Sequence, residues 1–230
     1  MIAFGFVGVG VGHARAQVGS DPENSPYKDI RISQTLSLVT GYLSGGTGVA
    51  GVGPSNGPLA GIRWDAFVGG AASVFVEVLG SRLDRNLVKP GDPLSTRNVG
   101  TEAQDVFLID AGLNFIFTGR KTWRGIAPFI GLELGAVIGG NFPSDSLGFT
   151  FGSKFQFGPS AGFRFFLNRR VHLRFEIRDT LWRLKYPLVY FNGDLDDEVN
   201  PPIIDPRDNN ENEWTHHATF MIGLGWTFRL

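Results

Sequence analysis

Ala218-Thr219-Phe220-Met221-Ile222-Gly223-Leu224-Gly225-Trp226-Thr227-Phe228-Arg229-Leu230 is the stretch that decides the fold. Apolar residues, most of them bulky, occupy every second position, and most of the residues between them are small or polar. A period of two residues places successive side chains on opposite faces of a strand. The stretch therefore predicts a β-strand with one apolar face.

The same period recurs in seven earlier segments, which makes an even total of eight. They span residues 30–43, 59–68, 71–84, 104–118, 126–139, 149–167 and 170–185. Connections after the second, fourth and sixth segments are short (69–70, 119–125 and 168–169), whereas the others are mostly longer. This alternation is typical of an up-and-down barrel whose short turns face the periplasm. The sequence predicts an all-β fold, an eight-stranded antiparallel up-and-down transmembrane β-barrel over residues 30–230.

The beginning of the chain has the pattern of an export signal. An apolar stretch, Ile2–Val11, precedes Ala14-Arg15-Ala16, which fits the small-x-small site of a signal peptidase. We therefore expect a cleaved signal peptide over residues 1–16, a short periplasmic segment over 17–29 and an outer-membrane location. Because no Lys or Arg precedes the apolar stretch, the true start codon stays open, and a buried first strand is the alternative.

Composition excludes several classes of function. The 21 basic and 22 acidic side chains nearly balance, so no net field would attract nucleic acid. The chain has no cysteine, which removes disulfides and thiolate metal sites. No apolar run approaches the ~20 residues that a spanning helix requires.

Charged residues fall on the strand face opposite the apolar stripe. A Lys or Arg facing lipid at mid-depth costs ~2–4 kcal/mol, so these charges must face inward. A buried charge without a partner costs several kcal/mol, so we expect them to pair and close the narrow lumen of an eight-stranded barrel. The predicted interior ion-pair network consists of Arg63, Asp65, Glu77, Asp110, Glu133, Lys154, Arg164, Arg174, Glu176 and Arg178.

Tyrosine and tryptophan residues gather near the ends of the predicted strands. Their rings have an apolar body and a polar tip, which suits a membrane interface. Ordinary core packing is the alternative for any one of them. The predicted interface aromatics are Tyr42, Trp64, Trp123, Trp182, Tyr186, Trp214 and Trp226.

The segment plan, the alternation of connections and the terminal strand resemble the small eight-stranded outer-membrane proteins of the OmpA transmembrane-domain and OmpX type. The stretch 162–179, GFRFFLNRRVHLRFEIRD, resembles a hairpin common in these domains, two strands joined by a minimal basic turn. The likeness covers about residues 28–230 and carries no catalytic motif. It implies outer-membrane lipid, lipopolysaccharide and, through the C-terminal strand, the barrel-assembly machinery as partners.

Candidate chemistry is sparse, and we predict no catalytic residue, metal or cofactor. His216 and His217 are adjacent, so on a strand they point to opposite faces and cannot bind one metal together. His217 is predicted to face inward, where a lipid-modifying site is conceivable, but no Ser lies nearby in the sequence. The longest loop is rich in carboxylates that could collect Ca²⁺, yet it lacks the EF-hand pattern and is interpreted as a solvated loop.

Four hypotheses follow from the sequence. The leading one is a non-enzymatic outer-membrane barrel with a closed, salt-bridged interior and loops in a structural, adhesion or interaction role. The others are a narrow porin or passive channel for small solutes, a lipid-modifying outer-membrane enzyme, and a secreted soluble barrel of lipocalin kind with its phenylalanines inside. The face pattern alone does not separate the last from the first.

Overall fold

The structure, a computed structural model, describes residues 24–30, 34–140, 148–208 and 211–228. The predicted signal peptide and residues 17–23 lie outside these ranges, as do Arg229 and Leu230. Within the described residues the chain forms ten strands and two short 3₁₀ helices, Leu188–Phe191 and Pro206–Asp208. The strands are β1 (Tyr27–Asp29), β2 (Gln34–Gly45), β3 (Asn56–Gly69), β4 (Ala72–Val88), β5 (Asn98–Ile116), β6 (Lys121–Trp123), β7 (Ile126–Gly139), β8 (Ser153–Phe166), β9 (Val171–Lys185) and β10 (Asn212–Phe228).

Eight of these strands close into a barrel in which every neighbour is antiparallel. The order around the ring is β2, β3, β4, β5, β7, β8, β9 and β10, and β10 pairs back onto β2. At this closing pair Thr35 Oγ1 and Thr227 Oγ1 lie 3.1 Å apart. The predicted eight-stranded antiparallel up-and-down barrel is therefore confirmed.

Each barrel strand has an outward apolar face and an inward face. In β10, Phe220 is 57% exposed and Leu224 is 50% exposed, whereas the alternate residues Thr219 and Met221 are buried. The outward phenylalanines are exposed in the same way on the other strands, for example Phe107. The hypothesis of a lipocalin-like barrel with its phenylalanines inside is therefore wrong.

We call the two ends of the barrel the turn end and the loop end. The turn end carries the short connections 70–71, 117–125 and 167–170. The loop end carries the connections 46–55, 89–97, 140–152 and 186–211. No helix in the described ranges is long and apolar enough to cross a membrane.

Two features differ from the sequence-based expectation. The β4–β5 hairpin continues past the predicted limits at residues 84 and 104, to Val88 and Asn98. There the outward residues Asn86 and Thr101 are polar whereas Ala103 and Val99 are apolar, so the regular apolar alternation that marks a strand disappears although the ladder continues. In addition, the predicted turn 119–125 contains β6, which pairs with β1 outside the ring.

Candidate functional site

The middle of the lumen holds nine charged side chains that are all nearly inaccessible, and we call this group the charge belt. It consists of four cations and five anions: Arg63, Arg164, Arg174, Arg178, Asp65, Glu77, Asp110, Glu133 and Glu176. All nine belong to the predicted network, and they come from β3, β4, β5, β7, β8 and β9. β9 carries three of the charges, β3 carries two and the other four strands carry one each. The charges meet because the inward faces of these strands come together at the same depth.

Lys154 does not join the belt, so the prediction for this residue is wrong. It is the second residue of β8, at the loop end, ten residues along the same strand from Arg164. Its ammonium lies 5.1 Å from the centre of the Phe151 ring, and the side chain is only partly buried. The belt therefore contains five carboxyl groups against four guanidinium groups.

Arg178 is the centre of the belt on the loop side. Its Nε lies 2.7 Å from Glu133 Oε2, and its Nη2 donates to Glu77 Oε1 at 2.8 Å and to Glu176 Oε1 at 3.1 Å. Its Nη1 lies 3.5 Å from Asp110 Oδ2. One guanidinium thus compensates parts of four carboxyl groups from four strands.

Asp65 is the corresponding centre toward the turn end. Its carboxylate accepts hydrogen bonds from Arg63 Nε at 3.1 Å and from Arg164 Nη2 at 3.0 Å, and Arg174 Nη1 lies 3.9 Å away. Arg174 in turn lies 2.6 Å from Glu176, which also pairs with Arg178. The two centres are therefore joined into one network.

Two phenylalanine rings complete the packing of the belt. The Arg63 guanidinium lies 3.4 Å from the centre of the Phe75 ring, and that of Arg174 lies 4.0 Å from the Phe129 ring. A cation over an aromatic face is attracted by the ring quadrupole, which helps compensate its lost hydration. With Arg63 and Phe75 both at 1% exposure or less, the belt fills the cross-section of the lumen.

The loop end of the lumen is apolar, a feature that the sequence analysis did not predict. We call this cluster the apolar plug. Its members are Val39, Leu43, Ala50, Val52, Leu59, Leu79, Leu83, Val106, Leu108, Val137, Phe149, Phe151, Trp182, Leu184, Tyr186, Tyr190, Ile204 and Met221. Seven of them, Ala50, Val52, Phe149, Phe151, Tyr186, Tyr190 and Ile204, come from the loops, which fold over the mouth.

The plug contains two of the predicted interface aromatics, and for these the prediction is wrong. Trp182 is fully buried and stacks on His217 with ring centres 3.6 Å apart, and Tyr186 is 2% exposed. Trp182 has the same parity as Arg174, Glu176 and Arg178 along β9, so it points inward with them, and Tyr186 is the first residue after the end of this strand. The other five, Tyr42, Trp64, Trp123, Trp214 and Trp226, are all exposed on the outside.

Polar contacts fasten the loops over the plug. The Tyr186 hydroxyl donates to Glu213 Oε2 at 2.7 Å, and the same oxygen accepts the Val49 backbone N–H at 2.8 Å. Burial, followed by the contact with Glu213, raises the pKa of Tyr186 well above its usual range. Burial also raises the pKa of Tyr190 to about 12. Both phenols therefore stay protonated at any physiological pH.

The long acidic loop is anchored at its middle and exposed elsewhere. Arg97 Nη2 donates to Asn200 Oδ1 at 3.2 Å, and Asn200 Nδ2 donates to the Gly91 carbonyl at 3.0 Å. Asp194, Asp196 and neighbouring carboxylates are exposed. Across the described ranges, no group of three or more His, Cys, Asp or Glu side chains is arranged to hold a metal ion.

The two adjacent histidines point to opposite sides of β10. His217 is buried in the plug, whereas His216 is 68% exposed on the outer surface, where its Nδ1 lies 2.8 Å from Asp179 Oδ2. The predicted inward direction of His217 agrees with this arrangement.

Solved barrels are similar to this chain, although no family model and no curated protein sequence matches it. The outer membrane protein OprG from Pseudomonas aeruginosa has 11% identity and a TM-score of 0.46, over 90% of this chain and 100% of that one. Neisserial surface protein A has 12% identity and a TM-score of 0.47, over 89% and 98%. Ail, the attachment invasion locus protein of Yersinia pestis, has 13% identity and a TM-score of 0.38, over 85% and 99%. The eight-stranded barrel expected from the resemblance is the fold observed.

Proposed function

We propose that this protein is an integral outer-membrane barrel with a closed lumen, no enzymatic activity, and loops that serve a structural, adhesion or interaction role. The observation that carries the proposal is the inversion of its two faces. Phenylalanines such as Phe107 and Phe220 are exposed on the outside, while nine charged side chains are enclosed. Water would favour the opposite arrangement, and hydrocarbon favours this one.

The order of the side chains along the lumen supports the proposal that it is closed. The charge belt fills the middle, the apolar plug fills the loop end, and Ile30 with Ile116, Ala127 and Phe129 forms a second apolar cluster at the turn end. An ion entering the lumen would have to displace all three layers. Export by a cleaved signal, delivery by the barrel-assembly machinery through β10, and contact with lipopolysaccharide remain parts of the proposal.

Cell fractionation followed by planar-bilayer recording tests this function. We expect the full chain in the outer-membrane fraction, a mobility on unheated gels that shifts on boiling, and no steady conductance after insertion. Recovery in the soluble fraction without detergent would overturn the membrane location. Steady single-channel currents would overturn the closed lumen.

A narrow passive channel is the second candidate, and two observations favour it. The belt has one carboxyl group more than it has guanidinium groups, which would favour cations if it opened. At the loop end of the lumen, the buried Thr180 Oγ1 and Trp182 Nε1 make no hydrogen bond to another described residue, so both would gain a partner if water entered. In this case neutralising Glu133 or Arg174 would change solute permeability in proteoliposomes. Unchanged permeability in both variants removes the channel.

A lipid-modifying enzyme is the third candidate, and it now rests on the outward pair of His216 and Asp179 rather than on His217. An imidazole oriented by a carboxylate is one part of a hydrolytic site, which also needs a nucleophile. Unaltered lipid A after overexpression and after deletion of the gene would remove this activity.

A further inference from the structure

The turn end carries a concentrated positive charge that the closed barrel does not require. The connections at this end and β1 expose one anion, Asp29, and six cations. The cations are Lys28, Arg120, Lys121, Arg124, Arg169 and Arg170. In contrast, the connection 186–211 at the loop end has seven carboxylates and a single arginine, Arg207. The barrel is therefore polarised along its axis, although its net charge is only −1.

Part of this charge surrounds a cleft of about 960 Å³ between the N-terminal segment, the β6 region and the β8–β9 turn. Lys28, Arg124 and Arg169 line it, and Asp29 is the only acidic residue that does so among the described residues. Its remaining wall includes Ile30, Phe165, Phe166 and Leu167. Phe165 and Leu167 are exposed, and Phe165 belongs to the outward apolar face of β8. The cleft thus joins a cationic mouth to the surface that would meet hydrocarbon.

Backbone pairing holds the cations in place. The Arg124 N–H donates to the Pro26 carbonyl at 2.7 Å, and the Ile30 N–H donates to the Arg120 carbonyl at 2.8 Å. Arg124 has φ = 49°, a left-handed conformation that is uncommon for a residue with a side chain. Its guanidinium lies 5.3 Å from the centre of the exposed Trp123 ring. An exposed tryptophan near the end of the barrel suits the interface between membrane and water.

We propose that this cleft binds an anionic phospholipid, with the phosphate between Lys28, Arg124 and Arg169 and an acyl chain along Phe165 and Leu167. The inference rests on the proposed membrane location, in which short turns face the periplasm and therefore the phospholipid leaflet. Guanidinium groups donate paired hydrogen bonds to phosphate oxygens, and cations near an anionic lipid surface strengthen binding roughly fivefold each. A free phosphate shares the headgroup chemistry but lacks the chain.

Native mass spectrometry of the detergent-solubilised full chain tests the proposal, with phosphatidylglycerol and phosphatidylcholine of identical acyl chains as probes. We expect phosphatidylglycerol to bind at least about fivefold more tightly. The double variant Arg124→Gln with Arg169→Gln should bind phosphatidylglycerol about five- to twentyfold more weakly than the native chain. Millimolar inorganic phosphate should compete weakly, because it gains nothing from the apolar wall.

The matched control is Arg82→Gln with Arg207→Gln, which removes two exposed arginines from the loop end. It should leave the preference unchanged. If Arg124→Gln prevents folding, as judged by the heat-dependent gel shift, Lys28→Gln with Arg169→Gln replaces the first pair. Equal binding of the two lipids, equal losses in both double variants, or full displacement by phosphate alone would overturn the inference. A chain that inserts normally but shows no lipid preference contradicts only this site, whereas failure to insert contradicts the proposed function.

Discussion

The charge belt and the apolar plug are built from the inward faces of the same barrel, yet they fill it with opposite chemistry. In the belt, Arg178 reaches carboxyl groups on several strands at 2.7–3.5 Å. In the plug, residues such as Leu83 and Trp182 are fully buried among other apolar groups. The stability of the belt depends on directional ion pairs, whereas the stability of the plug depends on close packing of apolar side chains.

This difference determines how each region should respond to substitution. Removing one partner from a buried ion pair leaves an uncompensated charge, which costs more than the pair contributed. Removing a buried apolar group leaves a cavity, whose cost depends on how far its neighbours relax. The loss of stability on substitution in the belt should therefore depend on which charges are left unpaired. In the plug it should increase with the volume of the side chain removed.

The largest effect is expected for Arg178→Met. The substitution removes the cationic partner of Asp110 and Glu133 and one of the partners of Glu77 and Glu176. We therefore expect the free energy of unfolding to fall by about 3–5 kcal/mol. Urea titration of the barrel in lipid vesicles, followed by the gel shift, measures it. Arg178→Lys serves as the control, because it keeps the charge and should recover part of the loss. If the free energy of unfolding of the methionine variant fell by less than about 1 kcal/mol, the ion pairs of Arg178 would not be important for the stability of the barrel.

The next effect is expected in the plug. Leu83→Ala deletes a fully buried side chain and should cost about 3 kcal/mol, within the range for buried leucines. Leu83→Met keeps nearly the same volume and should cost less than about 1.5 kcal/mol. The same titration measures both variants. Equal costs for the two variants would mean that volume does not govern this region.

A smaller effect is expected at the fastening of the loops. Tyr186→Phe removes one hydrogen bond to Glu213 and should cost about 1 kcal/mol. Because folding raises the pKa of Tyr186, its protonated form is favoured in the barrel, and this stability is present below about pH 10 and lost as the pH rises further. The variant should show a shallower loss of stability above pH 10 than the native chain.

Tyr42→Phe is the matched control for that experiment, since Tyr42 is exposed on the outer face of β2. It removes a tyrosine hydroxyl without touching the contact with Glu213, and it should leave the free energy of unfolding unchanged. If both tyrosine variants flattened the alkaline profile equally, the effect would not arise from the contact with Glu213.

The smallest effect is expected for Glu133→Gln. The belt has five carboxyl groups for four guanidinium groups, and Glu133 has a single cationic partner, Arg178. Glu176 contacts Arg63, Arg174 and Arg178. We therefore expect Glu133→Gln to change the free energy of unfolding by less than about 1 kcal/mol, and Glu176→Gln to cost about 2 kcal/mol or more. A reversed order in the vesicle titration would show that contact number does not rank these carboxyl groups.

Much of the fold could be predicted because each strand carries its own evidence. The last strand alternates over its whole length, and paired-strand registers then follow from which face is apolar. The same parity placed nine of the ten predicted charges in the lumen. Lys154 shows the limit of this reasoning, because parity gives the face of a strand but does not give the depth at which a residue lies.

The apolar plug could not be predicted, and the reason is physical. Leu79 and Leu108 point inward beside the outward apolar residues Val78, Phe107 and Ile109, so both faces are apolar there and the period of two is weak. Leu83 lies between the outward charged residues Arg82 and Asp84, so the apolar face changes sides along β4. The same ambiguity affected Trp182, whose ring suits an interface and a core equally. The pairing of β1 with β6 spans about ninety residues and leaves no local pattern.

The closing contact between β2 and β10 has a consequence for biogenesis. Gln34 pairs with Phe228, so β2, whose other edge pairs with the adjacent β3, can pair its second edge only after β10 has been made. Until then its free edge presents unpaired backbone groups that can recruit other chains. A nonsense mutation before β10 leaves this edge without its partner, and we expect it to yield an aggregate rather than a narrower barrel.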